Sequence, residues 1–175
     1  MEGHIVNRVE ESGLIQLDLA SLLEPAPVEV VDLSSWLDSG IILREKPFRN
    51  SITSWDASKL KGHIVALTCS TKAILPDWAW MLVTAKLSEI GATALVGSIE
   101  DARVLAYRHA VNNLNLEDYR DQRIIVKGCA TSGGPDALVA FIGHVGPVVR
   151  TLMFGEACSA VPLQPQAPLP HSVLS

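Results

Sequence analysis

A chain of 175 residues, 48% of them apolar, holds enough material for one buried core and is too apolar for a disordered polymer. Its formal net charge of −5, with no run of Lys and Arg, argues against nucleic acid as the main partner, because neutralising phosphates needs a basic face. No apolar stretch approaches the ~20 residues of a membrane span, and the opening segment lacks the basic and long apolar parts of an export signal, so a cytoplasmic setting is expected.

In chain order, residues 14–19 and 27–33 alternate in part as strands, joined through Pro25-Ala26-Pro27. Ser34 or Ser35 can cap a short helix through Trp36 and Leu37 that ends at Gly40. Phe48, Ile52, Trp55 and Leu60 recur at roughly helical spacing, which predicts a helix within residues 46–60. Residues 63–68, led by Gly62, form the short apolar run of a buried strand. Pro76 suits a first helical position, and the apolar helix it opens should run to Ile90 and stop at Gly91.

A second strand follows at residues 93–97, then a helix at 99–112 with Ile99, Ala102, Leu105, Ala106 and His109 along one face. After a charged connection at 117–121 comes a third strand at 123–127. This β-α-β-α-β order with short links predicts an α/β fold: a single domain over residues 1–162, with three or more parallel strands, right-handed crossovers and an irregular α+β N-terminal portion. A further helix is expected at 136–144, broken or restarted at Gly146-Pro147 and continuing to Phe154, with Gly155 at its C-terminal stop. The end of the chain, with Pro162, Pro165, Pro168 and Pro170, reads as an extended or loosely ordered tail, set off as residues 163–175.

Three cysteines stand just beyond regular elements: Cys69 after the first parallel strand, Cys129 after the third by one glycine, and Cys158 after the C-terminal helical segment. Free cysteine often serves as a small buried hydrophobe. Position argues for more here. If all three strands share one parallel sheet, Cys69 and Cys129 lie at the same carboxyl edge, where open α/β sheets bind ligands. Their separation would be about 5 Å for adjacent strands, or about 10 Å with the second strand between them. A returning chain can bring Cys158 to the same edge.

Three thiolates with one exchangeable position suit zinc or an iron–sulfur cluster, although no CxxC pair strengthens the metal signal. Glu156, two residues from Cys158, is the best fourth ligand; Asp77 and His63 are weaker, one reading as a first-turn acid and the other as the solvent-facing start of a strand. The alternatives are a thiol enzyme and a non-catalytic interaction module. In the first, Cys69 is the nucleophile, favoured as thiolate by a following helix N-terminus and by Lys72 or Lys127. In the second, the cysteines are structural and the apolar helix at 76–90 feeds an oligomer interface.

Other chemistry is poorly served. Residues 128–136 lack the Gly-Lys-Ser/Thr of a P-loop, and a Gly-Gly-Pro turn explains them more simply. No arginine stands six positions beyond Cys69 to make a cysteine-phosphatase loop, and no Gly-x-Ser-x-Gly elbow occurs. Trp78 and Trp80, two apart on a helix, read as core or interface residues rather than a ligand box. Four tryptophans and one nearly all-apolar helix are much to bury in a domain of this size, so self-association, as a dimer, is expected.

Several segments taken together carry a resemblance. Ile5-Val6-Asn7-Arg8-Val9 with Gly13-Leu14-Ile15, Leu43-Arg44-Glu45-Lys46 with Phe48-Arg49, Thr68-Cys69-Ser70, Pro76 to Met81, Tyr119-Arg120-Asp121, Val126-Lys127-Gly128-Cys129 and Gly155-Glu156-Ala157-Cys158-Ser159 resemble the bacterial domain of unknown function 2480 family. The likeness spans Ile5 to about Pro162. It implies fold and length more than activity, and it sets all three cysteines within family segments. It also implies a bacterial setting near iron–sulfur assembly genes, which makes iron–sulfur assembly proteins the expected partners.

Overall fold

The computed structural model describes residues 13–127, 133–156 and 159–163. Along these the elements are β1 (Leu14–Leu17), α1 (Leu19–Leu22), β2 (Val28–Asp32), α2 (Glu45–Ser54), β3 (Ile64–Thr68), α3 (Asp77–Glu89), β4 (Thr93–Val96), α4 (Ile99–Asn112), β5 (Arg123–Val126), α5 (Gly134–Val145), β6 (Thr151–Phe154) and β7 (Val161–Pro162), with 3₁₀ turns at Leu33–Trp36, Ser58–Leu60 and Leu116–Tyr119. The fold is α/β, as the alternation of elements predicts. The chain divides into two compact units, Glu24–Ala110 and Met1–Leu23 with Val111–Ser175.

In the unit Glu24–Ala110 the sheet order is β2-β3-β4, all parallel, with β3 in the centre. β3 is covered on both faces, which is why it reads as an unbroken apolar run. Val65 and Leu67 point to one face and pack with Val31, Leu33, Phe48 and Ile52, and with Ala79, Val83 and Leu87 of α3. Ile64 and Ala66 point to the other and meet Ala102 and Ala106 of α4. So α2 and α3 cover one face, and the small alanines let α4 approach the other. Trp36 lies edge-on to Phe48 at 6.2 Å and to Trp55 at 5.1 Å, and Phe48 to Trp78 at 5.8 Å. Trp78 and Trp80 are half-buried against this core, in keeping with a packing role.

Local chemistry sets the boundaries in this unit. The helix expected from a Ser34 or Ser35 cap is one 3₁₀ turn, and its cap is Asp32, whose carboxylate accepts from Ser34 N–H at 3.0 Å. The helix expected over 46–60 stops at Ser54, where Asp56 turns back to accept from Ser58 N–H at 3.0 Å and opens the separate 3₁₀ turn. Pro76 is the cap of α3 rather than its first residue, and Gly91, at φ +73°, ends the helix in the left-handed conformation that glycine tolerates.

In the other unit the sheet order is β1-β5-β6-β7, with β1, β5 and β6 parallel and β7 antiparallel to β6. Ile124, Ile125, Val126 and Leu152 are buried in its strands, and α5 buries Ala137, Phe141 and Val145. Tyr119 meets Phe141 edge-on at 6.2 Å.

Two expectations are corrected here. Residues 151–154 are a strand, not the end of a helix: a four-residue apolar run opening on a β-branched Thr151 is too short for a helical period to prevail. The third strand of the expected core, β5, does not join β3 and β4 but pairs with β1 on one side and β6 on the other. The helix before it, α4, lies on the opposite face of its sheet from α3, and β1, more than a hundred residues away in sequence, supplies β5 with an in-register partner from Leu14↔Arg123 to Leu17↔Val126.

Candidate functional site

The two units each present a carboxyl edge of parallel strands. At the first, β2 ends on Asp32 and β3 on Thr68, in register, and Cys69 follows. Asp32 Oδ1 accepts from the backbone N–H of Ser34 at 3.0 Å and of Ser70 at 3.1 Å, so one carboxylate ties the two outgoing loops together. The hydroxyls of Ser34 and Ser70 meet at 3.1 Å beside it. The Ser70 side chain, ahead of the backbone amides of Ser34 and Ser70, holds the Asp32 carboxyl down to about 2, against the opposing effect of burial. Sequence reasoning missed Asp32. An Asp at a strand end followed two residues later by Ser is the signature of such a turn.

Cys69 is a free, half-buried thiol whose Sγ lies 3.4 Å from Thr71 Oγ1. The Thr71 hydroxyl donates to the Gly40 carbonyl and so fastens the turn after β3 to the turn after the first 3₁₀ segment. Lys72 closes the Cys69 turn at φ +55°, its N–H donating to Cys69 O at 3.0 Å. Residues 70–76 separate Cys69 from the start of α3, so the thiol does not sit at a helix N-terminus. Thr71 is its side-chain hydrogen-bond partner among the described residues, which leaves a nucleophilic role without a described base.

The expected fourth ligands divide. His63 precedes β3 and Cys69 follows it, so they stand at opposite ends of the strand, about 20 Å apart along an extended chain. His63 cannot share a metal with Cys69. Asp77 is an exposed first-turn acid of α3, the role that the helix dipole favours.

At the second edge, β5 and β6 end side by side with Val126 opposite Phe154. Lys127 N–H donates to Leu17 O at 2.8 Å, and Gly155 N–H to Val126 O at 2.9 Å, so the ladder continues one residue past each strand. Gly155, at φ +116°, turns the chain; a Cβ there would lie 3.3 Å from Ser159 O. Glu156 is exposed, its carbonyl accepting from Ser159 N–H at 2.8 Å, and the chain returns as β7. Cys129 and Cys158 lie outside the described residues, as do the other residues of 128–132. The Gly-Gly-Pro reading holds where it is described: Gly133, at φ +112°, caps α5, with a proline in its first turn.

The arrangement expected for the cysteines, all gathered at one edge of one sheet, is therefore corrected for Cys69. Its strand and the strand leading to Cys129 belong to different sheets, so the distances derived from a shared sheet do not apply. Among the described residues no group of three or more His, Cys, Asp or Glu side chains is placed to hold a metal ion, and no helix is long and apolar enough to cross a membrane.

No curated protein and no solved structure matches the chain. A family described as "Protein of unknown function (DUF2480)" matches residues 3–166, nearly the whole length and all the elements above. The chain belongs to the DUF2480 family, as the resemblance of its ordered segments implies.

Proposed function

We propose that this protein is a metal-binding accessory protein whose ligands are Cys129, Cys158 and Glu156, carried by the segments that leave β5 and β6. The pairing of those two strands supports the reading. They are parallel neighbours in register at Val126↔Phe154, about 4.8 Å apart, so the chain runs on toward Cys129 from one and toward Glu156 and Cys158 from the other at a common edge. Two thiolates and a carboxylate fill three of the four positions of a tetrahedral zinc site and leave one open for water or a partner's ligand. An iron–sulfur cluster takes four thiolates, so it fits only if iron–sulfur assembly proteins contribute the others. Zinc suits the donor set better. Elemental analysis and an absorption spectrum of protein purified without oxygen test the proposal: about one bound metal per chain is expected, and metal-free protein overturns it.

A second reading, a non-catalytic interaction module, rests on the other edge. The loops tied by the Thr71–Gly40 hydrogen bond carry Ile41, Ile42 and Ile74, which are 63%, 54% and 98% exposed. Isoleucines left in water on two adjoining loops suit a surface that another molecule covers. Binding of a hydrophobic dye should fall in the triple variant Ile41→Ser, Ile42→Ser, Ile74→Ser, and unchanged binding counts against this reading.

A further inference from the structure

β4 is the last strand of the sheet β2-β3-β4, and no described strand pairs with its outer edge. Thr93 N–H donates to His63 O at 2.9 Å and Gly97 N–H to Leu67 O at 3.1 Å, so residues 93, 95 and 97 turn their main chain toward β3. Strand alternation then directs the N–H and C=O of Ala94 and Val96 outward. They have no hydrogen-bond partner among the described residues, and Val96 is 62% exposed. Apart from its brevity, four residues, this edge strand lacks the usual guards. Thr93-Ala94-Leu95-Val96 carries no charge and no proline, whereas β2 at the other end of the sheet carries Glu29 and is entered through Pro27.

We infer that β4 pairs antiparallel with β4 of a second copy, joining two sheets into one of six strands. The outward groups set the register, and the two-fold symmetry of that register fits a second copy of the strand. Only Ala94 and Val96 offer outward groups, so an antiparallel partner must set Ala94 opposite its Val96 and Val96 opposite its Ala94. That forms four N–H···O=C bonds around a two-fold axis at Leu95. Leu95 then faces its own copy as a non-hydrogen-bonded pair, with Cα atoms about 4.5 Å apart, and no like charges oppose one another along the strand.

The helix above the edge adds to the fit. Leu82, Ala85, Lys86 and Glu89 line a cleft with Ile52 and Thr53 of α2, while Ala79, Val83 and Leu87 face the core. By the helical period the flank of α3 away from α2, on the side of β4, carries Trp80 and Thr84, both half-buried. A tryptophan beside an open strand edge supplies apolar area to the contact.

Light scattering should give twice the mass of the chain at micromolar concentration, and native-state hydrogen exchange should show the Ala94 and Val96 amides protected. Val96→Pro is the discriminating variant. It deletes an outward N–H where proline is tolerated on an edge and leaves the bonds to β3 in place. The variant should retain the circular dichroism of the parent, run at the mass of one chain and exchange the Ala94 amide rapidly. A parent that is monomeric or larger than a dimer, or a dimer whose Ala94 and Val96 amides exchange at unprotected rates, overturns the inference. The exchange measurement on the parent decides the matter even if the variant fails to fold.

Discussion

The strands β3 and β5 are near twins in sequence terms: each is a largely buried, mostly apolar strand with parallel neighbours on both sides, and a cysteine follows each within three residues of its end. They differ in where their neighbours come from. β2, β3 and β4 are consecutive strands within Glu24–Ala110, joined by helices that close each crossover locally. β5 instead sits between β1, from the start of the chain, and β6, from near its end. The difference teaches that a β-α-β-α-β pattern names elements without naming sheets. A short strand at the N-terminus can claim the third strand, and Cys69 then follows a strand of one sheet in sequence while Cys129 follows a strand of the other.

The largest effect expected from this comparison is in the first unit's core. Phe48 is fully buried and stands edge-on to both Trp36 and Trp78. Phe48→Ala should cost about 3–5 kcal/mol of unfolding free energy, read by chemical denaturation. A cost below about 0.5 kcal/mol, the range of surface changes, would mean that the aromatic cluster does not organise this unit.

Next in size is the Asp32 tether, which has no counterpart described at the second edge. Asp32→Ala removes the cap of the 3₁₀ turn and the acceptor of Ser70 N–H, and should cost about 0.5–2 kcal/mol. Alkylation of Cys69 should quicken as its turn loosens, while Cys129 and Cys158, on the other sheet's segments, keep their rates; mass-mapped labelling reads all three. Equal acceleration at all three thiols would break the comparison.

The smallest effect is in pH. The folded carboxyl of Asp32 is depressed to about 2 from an ordinary value of 3.8, so its ionised form is favoured by folding. Its stabilising contribution is complete above the unfolded value and is lost as pH falls through the folded one. Denaturation from pH 5 to pH 2 should therefore show a part of the acid loss that Asp32→Asn abolishes. A variant with the parent's pH slope would show that the carboxylate is not the tether.

Much of this molecule was legible in its sequence, and the gaps have physical causes. The strands at Ile64–Thr68 and Thr93–Val96 and the helices Asp77–Glu89 and Ile99–Asn112 were readable because Gly62, Pro76 and Gly91 punctuate apolar runs of unambiguous length. Thr151–Phe154 was misread because so short a segment, three of its four residues apolar, fits either period. Sheet membership was beyond reach: the pairing of Leu14 with Arg123 is non-local and leaves no mark in a local window. At the candidate site the cysteines were found by position alone, and Asp32 was passed over because an acid after a strand looks like ordinary loop polarity.

The assignment of the metal to Cys129, Cys158 and Glu156 without Cys69 is tested most directly by metal content across single variants, each purified without oxygen. Cys129→Ser and Cys158→Ser should each lower bound zinc or iron by tenfold or more and lower the thermal midpoint with it, since metal binding and folding are coupled. Cys69→Ser should leave both unchanged. Equal metal loss in all three variants would join Cys69 to the same centre and contradict the account.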